Sequence, residues 1–151
     1  EQLGIDKIVN IINKSSFNNY EKELLFARIL IKIKRFNQAE SQLKKISKKD
    51  EFVNFNLGIC CYMQKKYNEA QHYFENAIQC NNGMAEAYNN AGCASIRLQQ
   101  LKRAEKYFTE ALKLREGYMD AHINLEQCEI SLLFEPKVTM RELRSVLTKY
   151  V

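Results

Sequence analysis

Few side chains in this sequence are equipped to do chemistry, and their spacing sets up no reaction. Two histidines, His72 and His122, each sit in a helical pattern with no nucleophile motif beside them, so neither is placed as a general base. The five cysteines, Cys60, Cys61, Cys80, Cys93 and Cys128, are odd in number and lack the paired spacing of metal ligands. Read as small buried thiols, which behave as hydrophobes, they suit a reducing compartment. There is no glycine-rich phosphate loop and no G-x-S-x-G turn. No catalytic residue, metal ligand or cofactor is therefore expected. What does recur is asparagine: Asn56, Asn90 and Asn124 follow one another at intervals of 34 residues. An amide side chain is both donor and acceptor, so equally spaced amides can pair with successive peptide groups of an extended segment whatever its side chains.

The elements that must hold those amides are helices. Pro136 is the one proline in 151 residues and glycines number five, so breakers are scarce. Glu51–Met84 overlays Ala85–Tyr118 without a gap, placing Gly58 on Gly92, Tyr67 on Leu101, Ala70 on Ala104, Phe74 on Phe108 and Ala77 on Ala111. Within each unit apolar residues recur three and four apart, as in Phe55, Ile59, Tyr62 and in Ala70, Phe74, Ala77, which marks two amphipathic helices. The polar breaks "QKKYN" and "LQQLK" divide them into a helical hairpin. Neither helix buries its stripe alone, whereas stacked hairpins do. Two helices approach to about 8–10 Å only where the residues at their crossing are small, and Gly58, Gly92, Ala70, Ala77, Ala104 and Ala111 serve that crossing. Glycine inside a helix costs roughly 0.5–1 kcal/mol relative to alanine, a loss that close packing must offset.

Composition bounds the alternatives. Charged residues make up 27% and hydrophobic residues 46%, ordinary for a folded chain and far from disorder. The net charge of +5 is modest, and "KKISKK" (Lys44–Lys49) and "LKRAEK" (Leu101–Lys106) read as solvated turns, so nucleic acid is not an expected partner. No apolar run is long enough to span a bilayer and the N-terminus lacks the layout of a secretory signal. Asn13-Lys14-Ser15 spells a glycosylation acceptor, a triplet common by chance. A cytoplasmic or nuclear location is the expectation.

The 34-residue period, the Leu-Gly-like pair and the Ala, aromatic, Ala series of the second helix resemble the tetratricopeptide repeat family. That resemblance implies an all-α fold, a right-handed solenoid of antiparallel helix pairs, formed by one domain over residues 1–151. Repeats are expected at 20–50, 51–84 and 85–118. The first has Ala27 at the glycine place, then Phe36, Ala39, Leu43 and Ile46, and its step to the next is 31 residues, so a closing loop about three residues short is expected. Ile5, Val9 and Ile12 in 1–19 fit the second helix of an upstream repeat or an N-terminal cap, as if the chain began in mid-array. Residues 119–151 read as a degenerate repeat with a capping helix. Glu126 at the glycine place should loosen the packing there. Thr139 with Glu142 forms a capping box ahead of Leu143, Val146, Leu147 and Tyr150.

The resemblance also implies a groove lined by the first helices. It places Asn56, Asn90 and Asn124 on that face as a ladder, with Phe52, Phe55, Ile59, Tyr62, Met63, Asn89, Ile96, Arg97, Ile123, Gln127 and Ile130 around it and Arg28 and Lys32 from the first unit. Apolar anchors flanked by cations suit a peptide with hydrophobic and acidic side chains. Alternatively, Phe55 and Ile59 pack against the upstream repeat and asparagine merely orders the face. One subset of the family grips the C-terminal carboxylate of heat-shock chaperones. The matching places here hold Leu24, Arg28, Asn56, Glu86 and Asn90, and Glu86 would repel a carboxylate, so that activity is not expected. The expected function is a protein-protein interaction scaffold that binds an extended peptide or a helix. The alternatives are a structural subunit that docks through convex or end surfaces, and an accessory segment of a larger enzyme.

Overall fold

The computed structural model describes residues 2–134, with side chains from residue 4 onward. The described residues form eight helices and no strand: α1 (Gln2–Lys14), α2 (Asn19–Lys32), α3 (Phe36–Lys45), α4 (Glu51–Met63), α5 (Tyr67–Cys80), α6 (Ala85–Arg97), α7 (Leu101–Leu114) and α8 (Met119–Leu133). None of them is long and apolar enough to cross a membrane. The hairpins α2/α3, α4/α5 and α6/α7 correspond to the three units.

Each hairpin turns by the same device. Lys34, Lys65 and Gln99 adopt φ of 62°, 63° and 59°, and the amide after each returns to a carbonyl five residues back: Arg35 to Leu30, Lys66 to Cys61, Gln100 to Ser95. This is the Schellman end of a helix, which glycine ordinarily closes because side chains disfavour positive φ. Here the sequence uses lysine and glutamine instead. Two first helices have side-chain caps: Asn18 and Glu21 form a reciprocal capping box on α2, and Asp50 accepts from the Val53 amide at 3.1 Å on α4.

The cores lie at the junctions. Ala27, Ala39, Leu43, Val53, Leu57 and Cys60 form one cluster in which the first hairpin meets α4. Ala70 and Phe74 meet Ala91 and Ala94 of α6 in a second, and Ala104 and Phe108 meet Cys128 of α8 in a third. Ala39, Ala70, Ala77, Ala104 and Ala111 are all fully buried. At the crossing each glycine accepts a phenylalanine ring: a Cβ on Gly58 would lie 2.5 Å from Phe74 Cε1, and one on Gly92 2.5 Å from Phe108 Cε1. In the first hairpin both partners change together, Ala27 standing for glycine and Leu43 for phenylalanine, each 0% exposed.

Polar side chains tie the junctions. Gln71 donates to Ser95 Oγ at 2.7 Å. At the equivalent place of the preceding unit, Glu40 accepts from Lys44 at 2.6 Å, Gln64 at 2.8 Å and Lys66 at 3.1 Å. Tyr20 donates to Asp50 Oδ2 at 2.5 Å.

Two expectations need correction. The residues missing from the first unit come out of its second helix, since α3 has 10 residues where α5 and α7 have 14, while its closing loop, 46–50, is longer than the 81–84 loop that closes the next. Lys49 caps that early end: its ammonium donates to the carbonyls of Leu43 (3.1 Å), Lys44 (3.0 Å) and Ile46, acceptors that another helical turn would otherwise have used. The thiols are not uniformly buried either. Cys60, Cys61 and Cys128 are, but Cys93 is half-buried and Cys80, the last residue of α5, is exposed beyond the packing stripe.

At the N-terminal end Ile12 is buried, while Val9 with Ile12 and Ile5 border clefts of about 140 and 390 Å³ on either side of Phe26. At the other end α8 packs on α7 through Leu125, Cys128 and Leu132, leaving Glu126 exposed. The capping box at Thr139 and Glu142 and the stripe Leu143, Val146, Leu147 and Tyr150 lie outside the described residues.

Candidate peptide-binding groove

The first helices form a row, α2 packed on α4, α4 on α6 and α6 on α8, whereas the backbones of α3, α5 and α7 stand farther apart, α5 and α7 meeting through side chains such as Arg103 and Tyr107 on Glu75. A stack with its first helices close and its second helices splayed is curved toward the first helices, whose free face is the inner one.

On that face a cleft of about 640 Å³ opens between α2 and α4, within the range of about 300–1,000 Å³ usual for ligand clefts. Leu24, Arg28, Ile31 and Lys32 line it from α2, Phe52, Phe55, Asn56 and Ile59 from α4, and Met84 and Glu86 from the start of α6. Phe52 is 51% exposed. Phe55 is both wall and packing, half-buried with its ring 5.9 Å from that of Phe74. Arg28 and Lys32, one helical turn apart and exposed, form no ion pair or hydrogen bond among the described residues. On the far wall Arg115 holds Glu86 at 2.5 Å. Partial burial would raise the Glu86 carboxyl, but the guanidinium and a backbone hydrogen bond outweigh it and hold the group below the usual carboxylate range.

The amides are unevenly placed. Asn56, 8% exposed, lines the cleft and spends its Nδ2 on the Phe52 carbonyl at 2.7 Å, which leaves Oδ1 as its unused half. Asn124 donates to Asn89 Oδ1 at 3.0 Å and to Cys93 Sγ at 3.4 Å, and Asn89 donates to Asn90 Oδ1 at 3.4 Å. Asn124, Asn89 and Asn90 thus form a hydrogen-bonded chain between α8 and α6, away from the cleft. Sequence spacing named the three rungs but not Asn89 as the link between two of them.

Of the other expected groove residues, the cleft gathers Arg28, Lys32, Phe52, Phe55 and Ile59 with Asn56. Tyr62 instead meets Tyr67 edge-on at 5.4 Å, and burial raises its hydroxyl above the ordinary range. Arg97 lies 4.9 Å over the Tyr67 ring and donates to its hydroxyl at 2.7 Å. Met63 is 49% exposed, Ile96 packs in the third core cluster, and Ile123, Gln127 and Ile130 stand exposed on α8. Leu24 was legible as a wall residue, because it occupies the same place in the first unit as Phe55 in the second; Ile31, the equivalent of Tyr62, was not, since Tyr62 itself lies off the cleft.

The side chains with catalytic or metal-binding potential are otherwise engaged. His72 is exposed with Nε2 3.2 Å from Asn76 Nδ2, and His122 Nε2 lies 2.9 Å from the Glu116 carbonyl. Glu40, Cys61 and Glu69 bring one ligand atom each within 4.8 Å of the others. Glu40 is already taken by Lys44, Lys66 and Gln64, and burial pushes the Cys61 thiol up to about 11, so this is an ion-pair node around a protonated thiol. Burial likewise pushes Cys60 up to about 12 and Cys93 to about 11.

Residues 51–83 and 85–118 each match the tetratricopeptide repeat. The chain carries two consecutive tetratricopeptide repeats. No curated protein matches the sequence. Among solved structures the array is similar to the crystal structure of MamA, at 20% identity and a TM-score of 0.75, covering 84% of this chain and 78% of that one. It is also similar to the first tetratricopeptide domain of Spaghetti (RPAP3) bound to the HSP90 peptide SRMEEVD, at 20% identity and 0.73, covering 76% and 93%. The tetratricopeptide domain of Sgt2 from Aspergillus fumigatus matches at 13% identity and 0.74, covering 82% and 88%. At these identities the likeness is one of fold, so the tetratricopeptide cleft here must be read from its own residues.

Proposed function

We propose that this chain is a protein-interaction scaffold, a single tetratricopeptide array that holds an extended segment of a partner protein along its first helices, centred on the cleft between α2 and α4. The observation that carries the reading is Phe52, 51% exposed at the mouth of a cleft walled by Phe55 and Ile59, whereas Phe74 and Phe108 are at most 1% exposed. Burying such a side chain is worth about 1.5–3 kcal/mol, which a partner that covers the ring recovers in part. Asn56 lines the same cleft with its Oδ1 unspent as an acceptor for a peptide N–H, and Asn90 and Asn124 continue the amide row along the first helices. Phe55, Ile59, Tyr62, Met63, Asn89, Arg97 and Gln127 complete the face. That a fold neighbour holds a chaperone peptide supports the general mode. The chaperone tail itself is disfavoured because the wall opposite Arg28 and Lys32 offers it no free cation, only Glu86 already paired with Arg115. The free thiols at all five cysteines suit a reducing, cytoplasmic or nuclear, setting.

The test is selection of a displayed random-peptide library on the wild-type chain, with Phe52→Ala and Asn56→Ala variants of matched helicity as counter-targets. Enriched peptides should bind the wild type and lose affinity for both variants. Peptides that bind all three proteins equally would remove the cleft from consideration.

A second reading, docking through the end of the solenoid, is favoured by α8, where Met119, Ile123, Ile130 and Leu133 are 67%, 46%, 48% and 75% exposed among the described residues. It is tested by Ile123→Lys with Ile130→Lys, which should disrupt assembly and leave peptide capture intact.

A further inference from the structure

We infer, resting on the cleft reading above, that the bound segment is an internal stretch of its partner with an acidic side chain two residues from a bulky apolar one. The charge of the cleft is one-sided. Arg28 and Lys32 project from one wall, one turn apart, with no ion-pair partner among the described residues, whereas Arg115, at the opposite wall, is spent on Glu86. Next to the two cations lies the apolar surface of Ile31, Phe55 and Ile59, with Phe52 at the mouth. In an extended chain, side chains two residues apart share a face and stand about 6.5–7 Å apart, so one acid on the α2 wall sets the following apolar side chain over the phenylalanines. The opposite wall carries Glu86. A chain terminus would add its own carboxylate to the side-chain acid and set it toward that glutamate, so the cleft favours a segment that enters and leaves.

Charge also separates this occupant from nearer ones. Residues 135–151 of the chain carry Lys137, Arg141, Arg144 and Lys149 against Glu135 and Glu142, and the whole chain is +5, so the net charge of its own tail and of a second copy opposes the two cations, even though Glu135 and Glu142 each stand two residues from an apolar side chain, Leu133 and Met140.

The test uses the full chain and a positional-scanning array of heptapeptides, N-acetylated and C-amidated so that no terminal charge is present, read at about 0.15 M salt. The expected result is joint preference for Asp or Glu at one position and for Leu, Ile, Phe or Met two positions away. Replacing the acid by its amide should weaken the best peptide about tenfold on the wild type and leave its weaker binding to the Arg28→Ala/Lys32→Ala protein unchanged, while Phe52→Ala should erase the apolar preference alone. Apolar preference with no acidic one would overturn this inference and leave the cleft reading standing. Tighter binding of the free-carboxylate version of the best peptide would overturn the internal-segment assignment. Absence of any preference that Phe52→Ala with Ile59→Ala removes would overturn the cleft reading and this one with it.

Discussion

Gly92→Ala should destabilise this protein although alanine is the better helix former. The new methyl would lie 2.5 Å from Phe108 Cε1 and 2.8 Å from Cδ1 and Cζ. That ring is 0% exposed, so it has no solvent to swing into. Forcing an extra carbon into a packed core costs about 1–3 kcal/mol, against a helix-propensity gain of about 1 kcal/mol, so the net loss is ~1 kcal/mol. Phe108→Leu alone should cost ~1–2 kcal/mol, a fraction of the 3–5 of a full truncation to alanine. The two together should cost less than their sum by ~1–3 kcal/mol, because the methyl occupies room the ring has left. The molecule already contains that solution, since Ala27 and Leu43 occupy the equivalent pair in the first hairpin, both fully buried. The assay is urea unfolding of the four proteins followed by far-UV circular dichroism, accepted only where the slopes agree, since repeat arrays can lose two-state behaviour. Gly4→Ala is the control: nothing lies within 4 Å of its added methyl, so only the propensity gain should appear. A Gly92→Ala protein as stable as the control, or strict additivity in the cycle, would refute the packing account.

Three further outcomes follow from the same geometry. The hydrogen bond from Lys44, opposed by burial and assisted by Gln64 and Lys66, depresses Glu40 from 4.5 to about 2. Because its folded value is the lower one, its contribution is complete above about pH 4.5 and is lost as pH falls toward about 2, with a ceiling of ~3 kcal/mol that partly exposed lysines reduce. Acid titration of thermal stability should therefore be flatter across that window in Glu40→Gln. Lys65→Gly should raise stability by about 0.5–1 kcal/mol in urea titration, because Lys65 holds φ 63° that glycine adopts without strain. Phe52→Glu should leave the melting temperature unchanged or slightly higher while removing binding of cleft-selected peptides, two readouts that a merely structural phenylalanine would move together.

The period of 34 and the apolar stripes were enough to place the α4/α5 and α6/α7 hairpins, because stacking forces a helix to repeat its stripe wherever it meets a neighbour of the same shape. The boundaries of α3 were not legible in the same way. The offset of 31 told how many residues were missing, but the shortened helix is capped by a lysine beyond its end, and a capping side chain leaves no periodic trace. The glycines were legible as places of close approach, yet what comes nearest to them is a ring from the paired helix, which the small-residue pattern did not name. The asparagine spacing was equally plain. Which half of each amide is spent depends on neighbours one place away, such as Asn89, that belong to no pattern of their own.

The second place of each unit separates scaffold from specificity. It is Glu21, Glu86 and Asp120 in three units and Phe52 in the other. An acid in the first turn of a helix interacts favourably with the N-terminal dipole by about 0.3–1 kcal/mol, and Glu21 also closes the capping box on α2. In α4 that interaction is supplied by Glu51 and by the Asp50 cap, so Phe52 is free of it and leaves half of a large apolar ring in water. It lies in no core cluster, so packing does not compensate. Neither helix capping nor internal packing calls for a phenylalanine at this place, while the cleft it borders, with two unpaired cations on the facing wall, is where a second chain would gain by covering it. The repeat pattern accounts for how the array stands, and the places where one unit departs from it account for what the array is equipped to hold.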